Sequence, residues 1–151
     1  MPHYDDLLFA PPAPVARVAV RHPDREQSVG DVPMLIDSGA DATLLPRSAV
    51  TSLGLEGTGE RYQLVGFDGT ISESEAVHAN LVFLRRKFRG RFLVTDGEVG
   101  VIGRDILYHL RLLLDGPAMG WEEHPLARPK PVGNGCLRAL RVNHSPDLSV
   151  G

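Results

Sequence analysis

The sequence predicts an all-β domain with one or two short helices, and three observations carry that expectation. Gly and Pro number 16 and 12 among 151 residues, above the roughly 12% of average usage, which favours a turn-rich β chain over a helical bundle. Every proline lies before residue 47 or after residue 116; proline cannot donate to a sheet ladder, so the gap marks the folded centre. Within it, short apolar runs alternate with Asp-Gly pairs at 68–69 and 96–97, the punctuation of strands joined by tight turns.

The elements follow in order. Residues 15–21 are short and β-branched, and 32–36 form a continuous apolar run ending at Asp37; both read as strands, the second buried. Pro46 opens a short helix through Ser48, Ala49, Val50 and Leu53, with Gly54 as its left-handed stop. Residues 62–65 and the segment from Thr70 flank Gly66-Phe67-Asp68-Gly69, which predicts a projecting hairpin. Residues 76–84 and 91–94 make another strand pair, joined through a solvated basic turn at 85–90. A buried run at 99–102, a helix over 104–110 and a last apolar run at 112–114 complete the folded centre. This divides the chain into an N-terminal extension (1–13), a domain (14–116) and a Pro/Gly-rich C-terminal extension (117–151).

Composition narrows the function. At 42% hydrophobic and 23% charged the chain fits one globular domain, and 16 Lys+Arg against 19 Asp+Glu leave a net charge of −3, so nucleic acid is not an expected partner. A single cysteine, Cys136, excludes an intrachain disulfide and a cysteine zinc site and points to a reducing compartment or to indifference to redox state; a cytoplasmic protein is the default expectation. The N-terminal residues carry two acids and no Lys or Arg before Arg17, with an apolar run of only 7–10; neither a signal peptide nor a membrane span fits. His3, His22, His78, His109, His124 and His144 show no metal-ligand spacing, so no metal and no cofactor are expected. The basic stretch Arg85-Arg86-Lys87 with Arg89 and Arg91 is weak evidence for a nucleic-acid site in an acidic chain.

The sharpest feature is Leu35-Ile36-Asp37-Ser38-Gly39-Ala40-Asp41, an acid placed directly after a buried strand and followed by a hydroxyl and a glycine. Taken alone it reads equally as an Asx turn. A second motif, Val101-Ile102-Gly103-Arg104-Asp105, follows with Gly103 64 positions after Gly39. Together the two resemble the retropepsin-like aspartic proteases, over about residues 15–115. The resemblance implies a closed, barrel-like sheet with a flap hairpin and one or two short helices, and hydrolysis of polypeptide substrates.

Metal-free peptide hydrolysis needs one group to deprotonate water and another to protonate the carbonyl oxygen, and two carboxylates sharing a proton do both. No other aspartate in the chain is followed by Ser/Thr-Gly, so the second carboxylate has to come from a second copy about a two-fold axis. By resemblance Asp37 is the catalytic carboxylate, Ser38 braces the two loops and Gly39 offers its N–H. Ala40 and Asp41 contact substrate, and Val65, Gly66, Phe67 and Gly69 close over it. Ile102, Gly103 and Arg104 support the loop, with an Asp41–Arg104 pair expected. A simpler reading makes Arg104 and Asp105 surface charges at a helix start. The competing function is a non-catalytic dimeric module that binds extended peptides or serves as a scaffold.

Overall fold

The computed structural model describes residues 2–125. In chain order they form β1 (Tyr4–Asp5), β2 (Ala13–Arg21), β3 (Ser28–Ile36), β4 (Leu44–Pro46), α1 (Arg47–Leu53), β5 (Gly57–Val65), β6 (Ile71–Phe83), β7 (Arg86–Thr95), β8 (Gly100–Ile102), α2 (Arg104–Leu107), β9 (Leu112–Asp115) and β10 (Gly120–Glu123). Eight strands make one sheet in the order β1-β2-β3-β8-β4-β7-β6-β5, and a further β2–β6 pairing closes its middle strands into a ring. The all-β class, the closed sheet and the two short helices agree with the sequence expectation.

Side chains alternate across a strand, so every second residue of the ring points inward. Ala16, Val18 and Val20 from β2, Met34 and Ile36 from β3, Val77, Ala79 and Leu81 from β6, and Phe92 and Val94 from β7 fill one core. Helix α1 lays Ala49, Val50 and Leu53 against it and stops where Gly54 turns left-handed at φ 59°, a conformation that costs glycine little.

Three elements differ from expectation. No basic loop separates β6 from β7: Phe83 pairs directly with Arg86, and the turn is Leu84-Arg85, both at positive φ (51° and 63°). Lys87-Phe88-Arg89-Gly90-Arg91-Phe92 is a period-2 pattern, phenylalanines inward and cations outward, that the density of charge disguised as a loop. Helix α2 ends at Leu107, because Ile106 is the one side chain it buries and Tyr108 is 87% exposed. Finally, the expected boundary at 116 falls in the turn of a β9–β10 hairpin. On that hairpin Trp121 is 3% exposed, its ring centre 5.8 Å from that of Phe83, and its Nε1–H donates to the Val15 carbonyl at 3.1 Å. Residues 2–4 lie against the same hairpin: the Tyr4 N–H donates to the Met119 carbonyl and the Trp121 N–H to the Pro2 carbonyl. Cys136 and the apolar stretch at 137–142 lie outside the described residues.

Candidate functional site

The two motifs meet because of one register. Strands β3 and β8 are parallel neighbours with Met34 opposite Gly100, Leu35 opposite Val101 and Ile36 opposite Ile102. The residues after each strand, Asp37 and Gly103, therefore emerge side by side, and the Asp37 N–H donates to the Ile102 carbonyl at 3.1 Å. Glycine at 103 is required sterically: a Cβ there would stand 2.5 Å from the Ala42 carbonyl carbon and oxygen. Gly100 is constrained likewise, with Met34 Sδ 2.3 Å and the Leu44 carbonyl 2.6 Å from a virtual Cβ.

The loop after β3 is a tight turn. The Ala40 N–H donates to the Asp37 carbonyl at 3.2 Å and the Gly39 N–H to Asp37 Oδ1 at 2.9 Å. Asp37 is half-buried, while Ser38 and Gly39 are exposed. From the second motif, Arg104 holds this turn at three points. Its N–H donates to the Ala40 carbonyl at 2.9 Å, its Nη1 to the Ser38 carbonyl at 3.0 Å, and its Nη2 to Asp41 Oδ1. The Asp41–Arg104 pair is thus present, and the guanidinium also fixes loop backbone, which an isolated surface ion pair does not do.

Sequence reasoning missed the hub beneath the loop. Thr43 is fully buried; its hydroxyl donates to Asp105 Oδ1 at 2.6 Å and accepts from the Gly103 N–H at 3.0 Å. The Thr43 N–H donates to Asp105 Oδ2 at 3.1 Å, and the Thr43 carbonyl accepts from Leu93. One threonine therefore ties β7, β8 and α2 to the strand that continues the Asp37 loop, and Asp105 is a structural acceptor rather than a free surface charge. A lone hydroxyl at the head of the apolar run Leu44-Leu45 was the available signal.

The β5–β6 hairpin projects beyond the ring. At its tip the Gly66 N–H donates to the Thr70 carbonyl and the Gly69 N–H to the Gly66 carbonyl, each at 2.9 Å, with Gly69 at φ 82°. Asp68 accepts from the Thr70 hydroxyl and from its N–H, and these bonds, the hydroxyl's first, hold the Asp68 carboxyl below the usual range. Phe67 is 97% exposed to solvent, yet its Cζ lies 3.1 Å from where a Gly39 Cβ would be. Glycine at 39 thus leaves room for the hairpin tip above the Asp37 loop. Val65, Gly66 and Gly69 stand with Phe67 on that tip.

The geometry defines a carboxylate on a rigid, backbone-clamped loop beneath a hairpin, the class of site used in acid-base hydrolysis. Among the described residues no group of three or more His, Cys, Asp or Glu could hold a metal ion. No described helix is long and apolar enough to cross a membrane. A family model described as "Aspartyl protease" matches residues 26–106, more than half of the chain, and the chain belongs to that family. Among solved structures it is similar to the EIAV protease complexed with the inhibitor HBY-793, at 25% identity over 70% of this chain and 91% of that chain, with a TM-score of 0.49. No curated protein matches it.

Proposed function

We propose that two copies of this chain pair about a two-fold axis and hydrolyse peptide bonds with a water held between their Asp37 carboxylates. The observation that carries this reading is the register of β3 on β8, which sets a half-buried Asp37 at the mouth of a loop fixed by Gly103 and Arg104. Only one such loop exists per chain, so a dyad needs a second copy.

In the step envisaged, one carboxylate takes a proton from water while the water oxygen attacks the carbonyl carbon. The other, protonated carboxyl gives its proton to the carbonyl oxygen. Collapse of the tetrahedral intermediate breaks the C–N bond as the amine nitrogen takes the proton held by the first carboxyl and the second carboxylate takes one back from the intermediate's hydroxyl, which restores the singly protonated pair. Titration belongs to the pair, not to either Asp37. Ser38 braces the paired loops and the Gly39 N–H holds the carboxylate. Ala40 and Asp41 contact the substrate main chain, with Asp41 oriented by Arg104. Val65, Gly66, Phe67 and Gly69 cover an extended peptide and exclude water. Ile102, Gly103 and Arg104 support the loop from behind. The protease unit spans 14–116, with the N-terminal residues and β10 packed against it. A lone cysteine suits a reducing, cytoplasmic setting.

The test compares wild type with Asp37→Asn on a mixed peptide library from acidic to neutral pH, over a range of protein concentrations. Cleavage lost in the variant, and rising more steeply than linearly with protein at low concentration, supports the dimeric protease. A dimeric wild type that binds peptides without cutting them makes this a recognition module instead.

A further inference from the structure

The outer face of the ring, away from the Asp37 loop in sequence and element, carries a group of cations. Strand registers place Arg21 (β2), Asn80 (β6) and Arg89 (β7) in one row across three adjacent strands, with Ala19, Val82 and Lys87 in the next row. Their neighbours Val20, Leu81 and Phe88 point into the core, so both rows face outward. Side chains directly opposite on one face stand about 5 Å apart at Cβ, and diagonal ones about 7–8 Å. Arg21, Arg89 and Lys87 are therefore crowded around Asn80.

This crowding is uncompensated. Arg86 and Arg91 on the same strand have carboxylate partners, Glu123 and Glu60. Arg21, Arg25, Lys87 and Arg89 have none within ion-pair distance among the described residues. Arg21 and Arg89 flank Asn80 from the two neighbouring strands and Lys87 lies two residues from Arg89; like charges gathered without internal compensation are a mark of a functional site.

A second, independent observation lies at the centre of the row. Asn80 is 8% exposed and its Oδ1 is buried without any hydrogen-bond partner. Such an orphan costs stability. As a residue, Asn80 lines a cavity of about 370 Å³ together with Arg21, Arg25, Lys87, His22 and Glu26. His22 Nδ1 accepts from the Asp24 N–H at 3.0 Å, which leaves the proton of a neutral ring on Nε2 as a further donor. Glu26 is the one acid on the wall; three cations and two neutral donors outweigh it.

We propose that this cavity binds a phosphoryl dianion, with Arg21, Arg25 and Lys87 neutralising it and the Asn80 amide donating to one oxygen. The anion is itself an acceptor, so it pairs with the Asn80 Nδ2–H and not with the buried Oδ1. A single carboxylate needs one guanidinium; several converging cations match a group with three acceptor oxygens and about two charges. The group comes either from a small phosphate compound or from a phosphorylated side chain of a peptide.

The site does not depend on the protease reading, and the test keeps the two apart. The full chain carrying Asp37→Asn is titrated with inorganic phosphate, a phosphoserine peptide and its unphosphorylated form, following amide resonances by NMR. Saturable shifts at the Asn80 side-chain amide and at residues 21–28 are expected with phosphate, and none with the plain peptide. Arg21→Gln and Lys87→Gln, both at exposed side chains, should each weaken binding about tenfold, the effect of removing one charge-assisted bond. Asn80→Asp, which puts the negative charge in place internally, should abolish it. A phosphopeptide at least tenfold tighter than inorganic phosphate assigns the group to a peptide; equal affinity assigns it to a small molecule. Unsaturable shifts spread over the surface, or binding unchanged in the Arg21 and Lys87 variants, overturn the proposal.

Discussion

Replacing Thr43 by valine keeps the shape of the side chain and removes one oxygen, so its effect isolates the hub beneath the Asp37 loop. Two bonds are lost: the 2.6 Å donation to Asp105 Oδ1 and the 3.0 Å acceptance from the Gly103 N–H. Gly103 is buried, so its N–H is left unpaired, at a cost of about 1–3 kcal/mol. Asp105 is exposed as a residue and keeps the Thr43 N–H on Oδ2, so water compensates much of the other loss. The sum is about 2–3 kcal/mol, or on the order of 10 °C in Tm for a domain of this size. Urea unfolding at one fixed protomer concentration, in the Asp37→Asn background to prevent self-cleavage, measures it. Thr43→Ser retains the hydroxyl and should lose less. A Thr43→Val loss below about 0.5 kcal/mol, the range of indifferent surface changes, would refute the claim that this hydroxyl holds the loop.

Gly103→Ala drives a methyl group into the Ala42 carbonyl, 2.5 Å away; the backbone has to move, and a loss of roughly 1–3 kcal/mol or more is expected in the same unfolding assay. Trp121→Ala should cost about 3–5 kcal/mol, since the ring is buried and its Nε1–H is bonded to Val15; a near-neutral result would mean that the β9–β10 hairpin does not belong to the folded unit. The hairpin tip should also respond to pH. Thr70 holds Asp68 below its ordinary carboxylate range, so the turn is favoured above the unfolded value of about 3.9 and loses that support as pH falls through the lower folded value. The Thr70 amide resonance should report this acid transition, and Asp68→Asn should abolish it.

Many of the strands were legible in the sequence as apolar runs. The run 32–36 and the run 99–102 are apolar throughout, as strands buried on both faces should be, and their parallel pairing brings Asp37 to Gly103. The Asp41–Arg104 contact was expected only from the resemblance of the two motifs to their family; the parallel pairing shows why it forms, since both residues sit at fixed offsets from those strands. Thr43 and Asp105 were not, because a hydroxyl and a carboxylate 62 positions apart carry no local pattern; only the closed ring makes them neighbours. Strand β7 was obscured by its cations, which satisfy the outward half of a period-2 pattern while resembling a loop in composition. Trp121 was obscured by the prolines and glycines around it, although a large aromatic in such a segment gains most by burial.

The exposed apolar residues argue in one direction about what a single protomer lacks. Val65 is 70%, Phe67 97% and Ile71 64% exposed, all at one end of the β5–β6 hairpin, and side chains of this size left in water together mark an interaction surface. Here that surface lies next to a carboxylate loop that is itself incomplete for acid-base chemistry. A cavity of about 460 Å³ between the N-terminal residues and Trp121 includes none of these groups. On the proposed reading, the apolar hairpin tip and the open carboxylate have one cause: each would be completed by a second molecule. In the proposed dimer a second copy would supply the other carboxylate, and an extended peptide between the copies would cover the hairpin tips. The proposed dimer therefore accounts for the unpaired acid and the exposed phenylalanine with a single association.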